Sequence, residues 1–531
     1  MSLPPTRRSA PDIIVCDNAA LFSCYGEGVC TVGGVDGLTQ ARSAGASRRE
    51  RLWLGAWIAF LGAGLMIYSQ TVAFTWDEGF HLLAAQLIRA GKRPYLDFCF
   101  PQTPFNAYWT AGWMSLFGES WRVAHAISAL LSSAAVALTA QYVFSRVPAS
   151  RSRLAAGCAA AALAGMNWLV IDFGSVGQAY GLCLFALVAA FRLTVASADR
   201  RSPAAAALAG LLAGVAAASS LLTAAAAPVL LVWLALRSRA GARWAKAAAY
   251  LAGAAAPFLP VLWLFAHGPR QTLFNLFQYQ MRYRAVNWPD TTRHDLEVLT
   301  SWIDCGQALV MLALAAAGLW FFRSRKEWGG AWRSELALCG WLALALGAEV
   351  GVAHPTFPRY FVVAIPFVAI LAALGFDGLG SAAGSANRSL WGGVILSLFF
   401  AMAVGKSMYE DRDTYRWADM DLLARKVQQI APPGVALVAD EPIYFLMRRT
   451  PLPGMEFAYA HTVENLSKGR AAELRLVSYS EMKKQAHAGA YAVFETCDDD
   501  HPDITALDLK AAFRQRVEVS ECAVYWEPTG K

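Results

Sequence analysis

Windows of about 20 apolar residues recur along most of this chain, and no other feature narrows the possible folds as much. In hydrocarbon a backbone N–H or C=O has no water to bond, so a spanning segment must be a helix or part of a closed barrel. The windows lie near 52–74, 122–145, 153–171, 177–197, 203–218, 220–236, 246–267, 301–322, 334–353, 360–376 and 389–407. Continuous apolar runs of this length predict an all-α polytopic membrane bundle of about 11 transmembrane helices. Of the 531 residues, 56% are hydrophobic and only 16% charged, against about 25% charged in soluble domains, which excludes a soluble enzyme.

Loop charges orient the bundle. Arg146, Arg151 and Arg153 fall in one short loop, Arg192, Arg200 and Arg201 in a second, Arg237, Arg239, Arg243 and Lys246 in a third, and Arg323, Arg325, Lys326 and Arg333 in a fourth. The intervening turns at 172–176 and 219–220 carry none. Basic loops stay cytoplasmic, so the pattern predicts a protein of the cytoplasmic (inner) membrane, with its N-terminus inside. The loop after Phe74, the 268–300 loop, His354–Arg359 and the C-terminal region then share the external, periplasmic face. The net charge of +7 is modest for this length and supports no nucleic-acid reading. Cys158, Cys183 and Cys339 lie in apolar windows, where a thiol acts as a small hydrophobe, and no cysteine spacing matches a zinc site. Residues 1–50, rich in Gly, Ala and Ser, read as a disordered cytoplasmic tail. Cys16, Cys24 and Cys30 within it suggest a small metal or disulfide cluster, or an unstructured lead-in ahead of the native start.

The first external loop concentrates the chemistry. Asp77 and Glu78 stand next to each other at the membrane boundary, where a carboxylate must be solvated, paired or used. Phe80, Leu83, Ala84, Leu87 and Ile88 follow at helical spacing, with Gly91 and Pro94 as stop signals, predicting an amphipathic helix along the membrane surface. A second such helix is expected from Pro104 to Gly118. Asp77 could simply cap the first helix, but capping explains neither Glu78 nor the neighbouring His81.

From Trp76 to about Arg122, the Asp77-Glu78 pair with His81 after it, Gly91-Lys92-Arg93-Pro94-Tyr95-Leu96-Asp97-Phe98, Pro101-x-x-Pro104, Tyr108, Leu116-Phe117-Gly118 and Arg122 follow in order. This segment resembles the protein mannosyltransferase and aminoarabinose transferase-like group, family 39 of the glycosyltransferase C superfamily. The resemblance implies a membrane glycosyltransferase that moves a sugar from a polyprenyl-phosphate donor to a lipid, glycan or protein acceptor on the external face. It implies Asp77 as general base with Glu78 in support, no required cofactor, and room for a divalent metal.

A leaving phosphate calls for fixed cationic donors. His354-Pro355-Thr356-Phe357-Pro358-Arg359-Tyr360 offers Arg359 as the main phosphate ligand, with His354 and Tyr360 in support. Tyr279-Gln280-Met281-Arg282-Tyr283-Arg284 offers Arg282, whereas Arg284 reads better as snorkelling toward lipid headgroups. His81, Asp97 and Asp172 are candidates for acceptor or supporting roles. Asp97 could instead pair with Arg93, and Asp172 could be an ordinary helix-end acid. Glu349, inside an apolar window, needs a partner. A transporter or flippase of lipid-linked glycans, or a non-catalytic assembly protein of the same fold, would share the spans. A transporter should carry internal repeats with broken helices at matching positions, and none is visible.

The domain boundaries read as a tail at 1–50, a transmembrane domain at 51–407 and a soluble external α/β domain at 408–531. Strands are expected at 434–440 and 490–495, helices at 420–430 and 507–513, and Cys497 and Cys522 can form a disulfide there.

Overall fold

The computed structural model describes residues 47–530 apart from short breaks at 72–75, 148–151, 200–202, 289, 325–329, 383–385, 415 and 458–465, together with two strands near the N-terminus. These strands, β1 (Ser23–Tyr25) and β2 (Val29–Thr31), pair antiparallel with Cys24 opposite Cys30. They interrupt the stretch read as disordered, whose last residues 47–50 are also described and enter a helix at Arg48; the rest of the tail, Cys16 included, lies outside the described residues.

Among the described residues, eight helices are long and apolar enough to cross a membrane, and three shorter apolar helices join them at Arg153–Gly165, Ala204–Ser219 and Leu221–Arg237. Each expected window falls on one of them. The chain is a multi-pass membrane protein, an all-α bundle with a small C-terminal mixed-sheet domain. The third window is broken. Arg153–Gly165 stops at Met166, and a six-residue helix, Trp168–Phe173, restarts where the Asn167 side chain accepts a hydrogen bond from the Leu169 amide. The Ala-rich windows are scaffold, as expected. Helices Ala204–Ser219 and Arg243–Ala255 approach so closely that a Cβ on Gly210 would lie 2.0 Å from the Tyr250 carbonyl oxygen, the small-residue packing that lets backbones meet inside a membrane.

Four helices need labels: α1 (Arg48–Thr71), α2 (Trp76–Arg89), α3 (Phe105–Phe117) and α4 (Trp121–Arg146). Helix α2 ends as its sequence predicts. Gly91 takes φ +87°, and the amides of Lys92 and Gly91 close back on the carbonyls of Leu87 and Ile88, the arrangement that satisfies a helix C-terminus when glycine follows it. Its position corrects the expectation of a surface helix. Leu82, Leu83, Ala85 and Leu87 are at most 2% exposed, and a Cβ on Gly79 would collide with Pro442. The C-terminal domain covers the apolar stripe that was expected to lie against the membrane. Phe80, Leu83, Phe98 and Met114 share one apolar core with Trp417, Leu423 and Tyr444 of that domain.

The C-terminal sheet runs in the order β3 (Leu437–Val438), β4 (Val493–Thr496), β6 (Cys522–Pro528), β5 (Phe513–Val519). β3 is parallel to β4, and the other pairs are antiparallel. The helix expected at 420–430 begins earlier, at Trp417, and ends at Ile430. The helix expected over 507–513 shrinks to Leu509–Ala512, because Phe513 opens a strand paired with Pro528. Ser520 and Glu521, both at positive φ, turn that strand back into β6 as a two-residue hairpin. The Cys497–Cys522 disulfide is present.

Candidate active site

Asp77 sits in the first turn of α2 rather than at its cap. Its carboxylate pairs with the Arg359 guanidinium at 3.1 Å, with the two side chains 36% and 29% exposed. Arg359 is steered by rings, its guanidinium carbon lying 4.5 Å from the Phe357 centroid and 5.7 Å from that of Tyr360. The turn ahead of it is anchored separately. His354 Nδ1 bonds Asp295, the Thr356 amide donates to Asp295 at 2.8 Å, and His294 Nε2 bonds the Thr356 carbonyl at 3.0 Å. His354 therefore fixes the backbone leading to Arg359 and does not line the cavity described next.

Asp77, His81, Tyr360 and Arg284 line one polar cavity of about 320 Å³. Pro101, Gln102 and Thr103 form part of its wall. They are held by the helical segment behind them: Asn275 accepts from the Phe100 amide at 2.7 Å, and Gln280 donates to the Pro101 carbonyl at 3.1 Å. Arg284 faces the cavity, while Arg282, the residue preferred from sequence, is exposed and not part of the wall. His81 is 7% exposed and stacks on Phe80 at 4.5 Å. Burial, working against the nearby charges of Asp77 and Glu78, pushes its imidazole down to about 4, so it is neutral at physiological pH.

Glu78 points the opposite way and is fully buried. Its carboxylate meets His125 Nε2 at 2.5 Å and accepts from the Gly177 amide at 2.7 Å and Trp417 Nε1 at 3.2 Å. His125 Nδ1 lies 2.5 Å from the Ser69 carbonyl, which can only accept, so that nitrogen carries a proton. Trp417 also stacks on Trp121, ring centroids 5.4 Å apart. Glu78 thus ties α1, α4, the 174–179 turn and the C-terminal domain to the first turn of α2. His125, Gly177 and Trp417 were missed from sequence, although a histidine inside an apolar window is a signal in its own right.

The remaining acids are settled elsewhere. Asp97 accepts from the Arg93 amide and guanidinium at 2.7–2.9 Å, the pairing alternative raised above. Asp172 lies by Tyr68, whose hydroxyl donates to it at 3.5 Å, away from the cavity wall. Burial and then the charge of Asp411 push it up to about 7. Glu349 accepts from the Ala225 amide at 3.0 Å, satisfying the start of a neighbouring helix. Glu495, Cys497 and Cys522 bring ligand-type atoms within 4.8 Å of one another. Both sulfurs are committed to the disulfide, and only a thiolate is a metal-binding sulfur of this kind, so while oxidised the group offers one carboxylate.

No protein-family model matches the sequence, and no curated protein matches it. Among solved structures, the chain is similar to ArnT from Cupriavidus metallidurans bound to undecaprenyl phosphate, with a TM-score of 0.60 and 16% identity over 89% of this chain and 97% of that one. It is likewise similar to the apo state of ArnT from the same organism, with a TM-score of 0.60 and 17% identity over 89% and 97% of the two chains. At that identity the likeness is one of fold, and it extends over bundle and C-terminal domain together.

Proposed function

We propose that the protein is a membrane glycosyltransferase of the glycosyltransferase C type, moving a sugar from a polyprenyl-phosphate donor to a lipid, glycan or protein acceptor on the external face of the membrane. The observation that carries this reading is the Asp77–Arg359 pair at the edge of a polar cavity that also presents Arg284 and Tyr360. A general base and cationic donors for a leaving phosphate meet there. The ArnT-like fold supports it, since that relative was solved with undecaprenyl phosphate bound. So does an apolar stripe beside the cavity: Leu273, Phe277 and Met281, spaced four residues apart and 40%, 52% and 71% exposed, lead along one helical segment toward Arg284. A polyprenyl chain along this stripe would deliver its phosphate to the arginines.

In the reaction, an acceptor hydroxyl oxygen forms a bond to the anomeric carbon as the bond from that carbon to the phosphate oxygen breaks. The electron pair leaves with the polyprenyl phosphate, whose added charge Arg359 and Arg284 stabilise. The hydroxyl proton passes to a carboxylate oxygen of Asp77. Glu78, committed to four elements, positions this turn and does not touch substrate.

Asp77→Asn tests the assignment. The variant keeps size, and is expected to insert and to bind undecaprenyl phosphate as the parent does, while conversion of a radiolabelled polyprenyl-phosphate sugar in membranes falls by about 10²-fold or more. Near-parental conversion would end the general-base assignment. A flippase would instead move labelled donor across vesicles without consuming it.

A further inference from the structure

A second, larger cavity lies far from Asp77. It opens beside the start of α1, whereas Asp77 follows the end of that helix, so about 36 Å of helix separates the two. The cavity is a groove of about 840 Å³ between α1 and the helices Arg153–Gly165 and Ala386–Glu410. Sequence makes it hollow. The helix Arg153–Gly165 stops after 13 residues, too few to cross a bilayer, and Ala155, Gly393, Ser397 and Ala401 leave the floor low. Trp53, Trp57 and Phe60 stand along one edge. The Trp57 indole donates to the Cys158 carbonyl at 3.2 Å and stacks on Phe60 at 5.5 Å, so this edge is fixed.

The groove has one polar end. All three helices begin there, at Arg48, Arg153 and Ala386, and each helix start carries a partial positive charge. Glu50 is the one acid on the wall among the described residues, and it is already committed: Arg153 pairs with it at 3.2 Å and the Ser47 amide donates to it at 2.8 Å. Arg49, on the same rim, is exposed and has no ion pair among the described residues. The mouth therefore keeps a net positive field. Away from the mouth the groove is apolar and follows residues 47–60 of α1 and 390–401 of its neighbour, about 20 Å and about 17 Å. That is close to the depth of one leaflet, about 15 Å of hydrocarbon.

We infer that this groove is a binding site for an anionic diacyl phospholipid of the leaflet opposite Asp77, its phosphate at Arg49 and its tails between the three helices. The volume suits two tails: about 840 Å³ holds about 28 groups the size of a water or a methylene, or two chains of about 14 carbons. A polyprenyl chain of about 55 carbons exceeds that room about twofold. On the orientation given by the loop charges this leaflet is the cytoplasmic one, where basic sites between helices meet anionic headgroups. The inference goes beyond the sugar-transfer reading and does not depend on it, so either can fail and leave the other standing.

The test is native mass spectrometry of the full chain, delipidated in detergent and titrated with phosphatidylglycerol or phosphatidylcholine of identical tails. One phosphatidylglycerol is expected to bind at least about fivefold tighter than phosphatidylcholine. Arg49→Gln, on an exposed side chain, should remove that preference by weakening phosphatidylglycerol about fivefold and leaving phosphatidylcholine unchanged. Ala401→Phe fills part of the groove and should weaken both lipids alike, about three- to tenfold, through lost tail burial. Equal affinity for the two lipids, or parental phosphatidylglycerol binding in both variants, would overturn the inference. So would one-for-one displacement of phosphatidylglycerol by undecaprenyl phosphate, which would give the groove to a polyprenyl chain. Retention of the lipid only by a chain lacking residues 1–46 would likewise give it to that segment.

Discussion

The first turn of α2 has two faces with opposite rules. On one, Glu78 is wholly buried and every contact is made: an imidazole, a backbone amide and an indole converge on its carboxylate. On the other, Asp77 is about one-third exposed, has one salt bridge and lines a polar cavity. Adjacent acids in a sequence invite a common explanation, but their surroundings separate them. A carboxylate that the chain itself completes holds the structure, and one that lines an open cavity stays accessible. On the proposed function the contrast also says why both are needed, because a base on a mobile turn would not stay within reach of an acceptor.

The largest effect that follows is on stability. Glu78→Ala strips His125, Trp417 and the Gly177 amide of their shared acceptor, and removing one partner of a buried charged network costs roughly 3–5 kcal/mol. Thermal unfolding in detergent should show a pronounced loss, and proteolysis should release the C-terminal domain, since Trp417 loses its tie to α2. A protein of parental melting temperature that has lost only turnover would put Glu78 beside Asp77 in the chemistry and break the comparison.

On the cavity side, Arg359→Ala should cost about 2–4 kcal/mol in the transition state, read as a fall in the rate of donor conversion with little change in melting temperature. Arg282→Ala, on an exposed side chain, should change neither. Similar small losses for both would return Arg359 to the snorkelling residues at the lipid boundary.

How far the sequence could see depended on the range of the physics. Spans are set by a local rule, since hydrocarbon demands a long apolar helix, and every window found one. Asp77 and Arg359, which the structure pairs, could each be singled out because each stands in a short polar segment at a membrane edge. The buried setting of Glu78 was hidden because its partners lie 47, 99 and 339 residues away, beyond any local pattern. Arg282 was preferred to Arg284 although two helical steps turn a side chain to nearly the opposite face, and only packing decides which face meets the cavity. The burial of α2 was likewise hidden, because an apolar stripe looks alike whether lipid or another domain covers it. The β5–β6 hairpin escaped for a chemical reason: Ser520 and Glu521 occupy a turn where Asn-Gly would have announced itself.

The smallest effect probes the same contrast within the C-terminal domain, where half-buried Asp440 lies beside buried Glu495. The Asp440 amide donates to Glu495 at 2.9 Å, and Asp440 in turn accepts from the Cys497 amide at 2.9 Å. Burial first, and then the charge of Glu441, pushes Asp440 up from its ordinary 3.8 to about 8, and burial raises Glu495 as well. Between those two pH values the folded domain binds more protons than the unfolded chain, so its stability falls as pH rises. The stabilising proton is fully present below about 3.8 and lost through about 8. Asp440→Asn keeps the shape and the acceptor for Cys497 without a titrating group, so its melting temperature should decline less than the parent's between pH 5 and about 8.5. Turnover should be untouched, because these acids lie off the cavity wall. A parental pH slope in Asp440→Asn would mean the pair does not govern this domain, and a change in turnover at constant stability would mean that a carboxylate with its contacts filled can still serve the reaction.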